Sequence, residues 1–376
     1  MPEDPEDVVA IIQPFVPGYR RPLFDAIDEE LRQHGLRLEV WHDFPKGRVA
    51  ARGNADSGPW SVPIKQRRIS IGRRNITYRG VARRARRVRA VVAGLASTNI
   101  ETYALALDPK VRLMLWGHGR NFTASTNGLD TKIETWLARR SSHLFTYTDE
   151  GKQFVVSQGT PAGKVTVVVN STDTRSLRQV RDATTSADSA ELRREYGLER
   201  SRVALFIGAF DAPKQLPFLF DAMDLVVKSH PDLVLVLAGA GPESDAVRDL
   251  AHSRSYARFI GRLESRELAR FSTITDLVVM PGRIGLVAVD ALGLGLPIAT
   301  TNYPFHAPEA AYLQADIDSL WTEFDVSSYA QGVSDLLAQP HYLEGLRAGA
   351  RAKGDQYSVE ATAERFVEGI LQGLES

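Results

Sequence analysis

Short apolar runs alternate with amphipathic helical stretches along most of the chain, and this alternation limits the fold more than any other feature. In the first half the runs are residues 8–13, 36–42, 90–96, 111–116, 143–148 and 165–169, with helical spacing over 23–33, 98–107 and 131–141. Short strands that are apolar on both faces belong to parallel sheets covered by helices on either side. Residues 171–200 interrupt the pattern; they are polar and read as a linker without strands. It restarts with strands at 203–208, 233–238, 258–260, 277–280 and 298–301, and helices at 216–228, 244–252 and 267–272. The tail from Tyr357 has helical spacing. The expected organisation is α/β with two doubly wound domains. They cover 1–170 and 201–356, with 171–200 as linker and entry to the second and 357–376 as a C-terminal helix. A length of 376 residues suits two such domains. Ligands of these sheets bind beyond the carboxyl ends of the strands, and two domains facing each other would make a cleft there.

Composition removes several function classes. There are no cysteines, which excludes disulfides, thiol nucleophiles and cysteine–zinc sites. The histidines are scattered and form no His-x3-His pair, so no protein-built metal site is expected. No apolar stretch reaches the ~18 residues of a membrane span. The first residues, "MPEDPEDVVA", lack the pattern of a signal peptide. A cytoplasmic protein is expected.

Three segments carry the chemistry. "DLVVMPGRIGLVAVDALGLGLPIATT" is a strand, a glycine turn and a buried helix, with one base, Arg283, and one acid, Asp290. A turn of this kind exposes unpaired N–H groups and the positive end of a helix dipole to an anion. Gly285, Leu286 and Val287 would supply those N–H groups, and Gly285 is small enough for a ligand to approach. A carboxylate in so apolar a helix as that of Asp290 needs a partner or a ligand. "FIGAFDAPKQLPFLFDA" sets Gly208 and Lys214 ahead of a second helix, and "LVLVLAGAGPE" is a strand leading to Gly-x-Gly-Pro.

In this order and spacing the three segments resemble the donor domain of retaining glycosyltransferases of family 4. The resemblance implies the GT-B fold: two Rossmann-like domains facing a cleft, the C-terminal helix crossing back to the N-terminal domain. It implies donor binding by Gly208, Gly282, Gly285, Leu286, Val287 and Asp290, with Asp290 holding the ribose. Lys214 would neutralise the diphosphate leaving group, and Arg283 would add a second cation, for phosphate or sugar. Glu309, in "FHAPEAAYL", would line the donor pocket or cap a helix. Two positions depart from the family pattern. Ala209 stands where an arginine is usual, and Gly282 stands where a sugar-contacting glutamate is usual, which leaves the donor sugar open.

In the first half, His118 in "VRLMLWGHGRNF" resembles the histidine that the family sets over the donor sugar. Gly18, in "PFVPGYRRP", resembles the first loop of the fold, which approaches the donor phosphates, with Tyr19 and Arg20 lining it. Asn170, followed by Ser171, resembles the segment where the chain crosses between domains.

The remaining signal is electrostatic. From Lys65 to Arg89 there are eleven Lys or Arg and no acid, although the net charge of the whole chain is zero. Val81, Ala85 and Val88 share one helical face and Arg83, Arg84, Arg86 and Arg87 cover the rest. A basic amphipathic helix is expected, for an anionic membrane surface or a lipid-pyrophosphate acceptor. Aromatic residues are sparse there, which argues against nucleic acid.

The resulting expectation is a retaining, metal-independent hexosyl-type glycosyltransferase without a cofactor. Its partners would be a nucleotide diphosphate sugar and a saccharide, lipid-linked or small-molecule acceptor, with cell-envelope glycans, glycolipids or secondary metabolites as settings. The site would be cytoplasmic or on the inner face of the membrane. Two rivals remain: a nucleotide-sugar epimerase of the same fold, and a catalytically weak nucleotide-sugar-binding or membrane-associated subunit, which Gly282 and Ala209 favour.

Overall fold

The computed structural model describes residues 6–44, 55–71, 74–119 and 128–375. The chain divides into two units, 1–172 with 359–376, and 173–358.

In the first unit the strands are β1 (Glu6–Gln13), β2 (Arg37–His42), β3 (Ser61–Pro63), β4 (Arg67–Ile71), β5 (Arg74–Tyr78), β6 (Val88–Gly94), β7 (Leu113–Gly117), β8 (His143–Thr146) and β9 (Val165–Val167). The helices are α1 (Arg21–Gln33), α2 (Ala82–Ala85), α3 (Ile100–Leu107), α4 (Gly128–Arg140) and α5 (Asp149–Ser157). Seven strands form a parallel sheet in the order β3-β2-β1-β6-β7-β8-β9. The separate pair β4-β5 is an antiparallel hairpin that the apolar alternation did not announce.

Helix α1 forms because Leu23, Phe24, Ile27 and Leu31 recur at helical spacing and all four are buried. It ends at Gly35, which takes the left-handed conformation at φ 72°. The C-terminal helix, Val359–Glu375, closes the same face of the sheet. Phe366 stacks on Phe145 with ring centroids 4.3 Å apart and meets Trp116 edge-on at 4.9 Å. Two glycines let the helix come this close. A Cβ on Gly369 would lie 2.5 Å from the Phe145 ring, and one on Gly373 would lie 2.6 Å from Met114 Cε. Arg112 fastens the end of the helix by donating to Gly373 O at 3.0 Å and to Leu374 O.

The second unit contains α6 (Thr174–Ala183), α7 (Ser186–Glu195), β10 (Arg202–Ala209), α8 (Leu216–Ser229), β11 (Leu233–Ala240), α9 (Ser244–His252), β12 (Ala257–Gly261), α10 (Ser265–Phe271), β13 (Leu277–Met280), α11 (Val287–Leu294), β14 (Ile298–Thr301), β15 (Ser319–Thr322), α12 (Val326–Ala338) and α13 (Pro340–Lys353). Its sheet is parallel throughout, in the order β12-β11-β10-β13-β14-β15. The order reverses between β10 and β13, the position where doubly wound sheets bind ligands.

The expected linker is corrected here. Residues 171–200 carry two capped helices that belong to the second unit. Asp173 accepts from Ser176 N–H at the start of α6, and Thr185 forms a reciprocal capping box with Asp188 at the start of α7. Each buries few side chains, Thr174 and Leu177 in α6 and Leu192 in α7, so the apolar signal of both helices is weak even though α6 packs on α10 and α11.

Two outcomes test this account. Gly369→Val should cost about 1–3 kcal/mol through overpacking, read by urea unfolding. His143 is buried in β8 with Nε2 2.8 Å from Thr166 Oγ1, and burial, helped by Lys152 and Lys164, lowers its pKa from 6.5 to about 4. The folded chain therefore binds fewer protons than the unfolded chain between those values. Stability should be complete above about pH 6.5 and fall by about 3 kcal/mol as the pH drops to about 4. His143→Gln should flatten that part of the stability–pH curve.

Candidate functional site

In the second unit the predicted donor residues converge where β10 and β13 end. After β10 the chain runs through Phe210 and Asp211 into a 3-10 turn, Ala212–Lys214. Gln215 then takes a left-handed conformation, φ 56° and ψ 44°, which is strained for a residue with a Cβ. The turn is fastened to the glycine loop after β13. Arg283 N–H donates to Pro213 O at 2.8 Å, and Lys214 Nζ donates to Arg283 O at 2.6 Å. Lys214 also lies over Gly208, where an added Cβ would be 3.6 Å from its Cε.

The surroundings of Lys214 are mixed in charge. Burial lowers its pKa, Asp211 and Glu309 oppose that shift, and Arg283 reinforces it. Glu309 is buried in the 3-10 turn Pro308–Tyr312. Asp290 is half-buried on α11. Gly285, Leu286 and Val287 lie ahead of or at the opening of α11. The first hydrogen bonds of that turn are Ala288 N–H to Gly285 O at 3.0 Å and Val289 N–H to Leu286 O at 2.9 Å.

Two residues here escaped the sequence reading. His306 buttresses the glycine loop: Ile284 N–H donates to Nδ1 at 3.1 Å, and Nε2 donates to Thr301 O at 2.9 Å. Burial first, then the charges of Lys214 and Arg283, lower its pKa, so it is neutral at pH 7. Asp211 has a buried Oδ1 with no hydrogen-bond partner among the described residues. A lone histidine in a proline-rich loop and a lone aspartate in a turn carry no periodic signal.

The glycines divide by cause. A Cβ on Gly282 would lie 2.5 Å from Lys214 C and from Pro213 O. The position is therefore closed by backbone, and the Lys214 turn occupies the room that a glutamate would need. A Cβ on Gly285 meets nothing within 4 Å, so packing does not require glycine there.

In the first unit, His118 follows β7 and is exposed, its ring 4.9 Å from that of Tyr147. Gly18–Arg20 form a 3-10 turn after β1, with Tyr19 exposed. Arg20 donates to Gln13 Oε1 and to Tyr147 OH, each at 3.0 Å, and stacks over Trp116 at 4.8 Å. His118 and Arg20 thus meet around Tyr147 at the carboxyl end of the sheet. Asn170 is buried, and Val169 before it has a positive φ of 44°, strained for a β-branched residue. The strained residue lies close to the division between the units.

The basic amphipathic helix is corrected. Val81, Ala85 and Val88 are buried, but α2 is only four residues long and Val88 already begins β6. Arg84 pairs with Glu39 at 3.1 Å and Arg86 with Asp108 at 2.6 Å. Arg83 and Arg87 line a depression with Glu6 and Glu39. This group sits at the amino end of β6, and Arg20 and His118 sit beyond the carboxyl ends of the strands. Among the described residues, no helix is long and apolar enough to cross a membrane.

Residues 188–353, within the second unit, match the family described as glycosyl transferases group 1. The match covers less than half of the chain, and the chain as a whole has the GT-B fold. Glycogen synthase of Mycobacterium tuberculosis is 25% identical over 181 residues, 45% of this chain and 40% of that protein. The D-inositol 3-phosphate glycosyltransferase of Thermobispora bispora is 27% identical over 243 residues, 60% of this chain and 54% of that protein. The chain thus spans about half the length of the curated relatives it matches. Among solved structures, Anabaena HepE in complex with UDP and glucose superposes with a TM-score of 0.66 at 15% identity, covering 97% of this chain and 99% of that one.

The two glycines give opposite expectations. Gly282→Ala should push the Lys214 turn away, costing about 1–3 kcal/mol in urea unfolding. Gly285→Ala should leave stability within about 0.5 kcal/mol of the parent. A Gly282→Ala protein as stable as the parent would contradict the close backbone contact.

Proposed function

We propose that this chain transfers a glycosyl group from a nucleotide diphosphate sugar to an acceptor hydroxyl, with retention of configuration and without a metal ion. The observation that carries the reading is the joining of Lys214 and Arg283 at the glycine turn of α11, inside the region that matches the family. A departing diphosphate gathers negative charge. A cation held in a water-poor setting and the N–H groups at a helix start stabilise that charge without reorganising. Lys214 is such a cation. Arg283 adds a second, and Gly285 leaves its surface open for close approach.

Asp290 accepts the ribose hydroxyls. Glu309 and Asp211 keep Lys214 protonated against its burial. His306, neutral and bonded on both nitrogens, holds the loop rather than moving protons. The leaving diphosphate itself takes the acceptor proton on the face from which it departs, the short route to retention. The relatives support the donor class: one is a glycogen synthase, another an inositol phosphate glycosyltransferase, and the HepE structure holds UDP and glucose.

Mass-detected transfer from a panel of nucleotide diphosphate sugars tests the reading. Lys214→Ala should lower kcat at least 100-fold while the folded fraction stays constant. Gly285→Ala should weaken nucleotide diphosphate binding at least tenfold. Activity should decline on the alkaline side below the ordinary lysine value of 10.5, because burial lowers the Lys214 pKa. Unchanged turnover in Lys214→Ala would sink the assigned role.

A further inference from the structure

A cavity of about 360 Å³ opens in the first unit beside the carboxyl ends of β1, β6 and β7. Three guanidinium groups line it, those of Arg20, Arg68 and Arg79, and among the described residues no carboxylate does. Arg79 is nearly inaccessible and pairs with Glu101 at 2.5 Å, the two side chains being 5% and 2% exposed. Glu101 also accepts from Arg79 N–H at 3.2 Å, which fixes the pair from behind. Arg20 is held by Gln13, Tyr147 and the Trp116 ring. Arg68 comes from the hairpin strand β4.

The cavity wall also holds an unusual share of unmet hydrogen-bonding groups. Arg20 Nε, Arg79 Nε, Trp116 Nε1 and Thr102 Oγ1 are buried donors without a partner among the described residues. Gln66 Oε1 is a buried acceptor in the same position. Each such group costs free energy unless something arrives to satisfy it. The donors and the excess positive charge call for an anion, and guanidinium forks suit phosphate oxygens. The lone acceptor calls for a hydroxyl.

We propose that this cavity is the acceptor subsite and that it selects a phosphorylated polyhydroxy compound, a sugar or polyol phosphate. Its phosphate lies against Arg79, Arg20 and Arg68, and a hydroxyl donates to Gln66 Oε1. The word acceptor rests on the transferase reading; the phosphate site itself does not.

The test is calorimetric titration of the full chain with hexose monophosphates and glycerol 3-phosphate, against inorganic phosphate, glucuronate and glucose. The tightest sugar or polyol phosphate should bind at least tenfold more tightly than each of the other three. Arg68→Gln should weaken it at least tenfold. The same loss should appear in Arg79→Gln combined with Glu101→Gln, which removes both halves of the buried pair and so avoids leaving a bare carboxylate. Lys214→Ala should leave this binding unchanged. Equal binding of glucose or of inorganic phosphate, indifference to both arginine changes, or loss in Lys214→Ala would each overturn the proposal. UDP titrated into the same proteins reads the second unit separately. If UDP fails to bind while the phosphorylated sugar still does, the donor reading fails and the phosphate site stands.

Discussion

The second unit depends on one backbone contact, the docking of the Lys214 turn onto the glycine loop after β13. Arg283 N–H to Pro213 O and Lys214 Nζ to Arg283 O fix the two loops to each other. Gly282 is what allows the approach, because any Cβ there meets the backbone of Pro213 and Lys214. The strained left-handed turn at Gln215 is a cost of the same geometry, of order 1–3 kcal/mol. Strain of this kind persists only where surrounding structure holds it. Here the hold comes from the buried α8 that follows and from His306, which ties Ile284 to Thr301. A cation that would otherwise swing in solvent is thereby held at the mouth of a helix.

The sheets were legible in the sequence because a strand covered on both faces must be apolar along its whole length. "DLVVM" and "LVLVLA" are short apolar runs bounded by turn residues, the pattern of such strands. Elements that bury few apolar side chains were not legible. Helices α6 and α7 are polar over most of their length and bury one leucine each, so they read as linker, although α6 packs on α10 and α11. The β4-β5 pair lies in the most basic stretch of the chain, with residues 67–70 exposed, and its charge masked the β-branched residues Ile69, Ile71, Ile76 and Thr77. At the site, the residue types were legible and their arrangement was not. Gly282 looked like a missing acid, yet backbone fills the space. The arginines between 65 and 89 looked unpaired because no acid lies nearby in sequence; Glu39, Glu101 and Asp108 reach three of them through the fold.

Those ion pairs sort the basic stretch into two populations with different physical meaning. Arg84 and Arg86 are exposed, paired at the amino end of the sheet, and worth little to stability. Arg79 is desolvated with its partner, a costly arrangement unless other groups share its hydrogen bonds. A chain that maintains such a cost around a cavity keeps its donors oriented before any ligand arrives, and ligand binding then loses less conformational entropy.

The C-terminal helix has a consequence for the order in which the molecule is made. Residues 173–358 form a continuous unit and can fold as soon as they leave the ribosome. The first unit cannot, because the helix carrying Phe366, Gly369 and Gly373 follows the second unit in sequence. Until it arrives, Phe145 and Trp116 stand uncovered on one face of a parallel sheet. The unit whose strands come first is therefore completed only after the second has been made, and its apolar face is the one most in need of protection during synthesis.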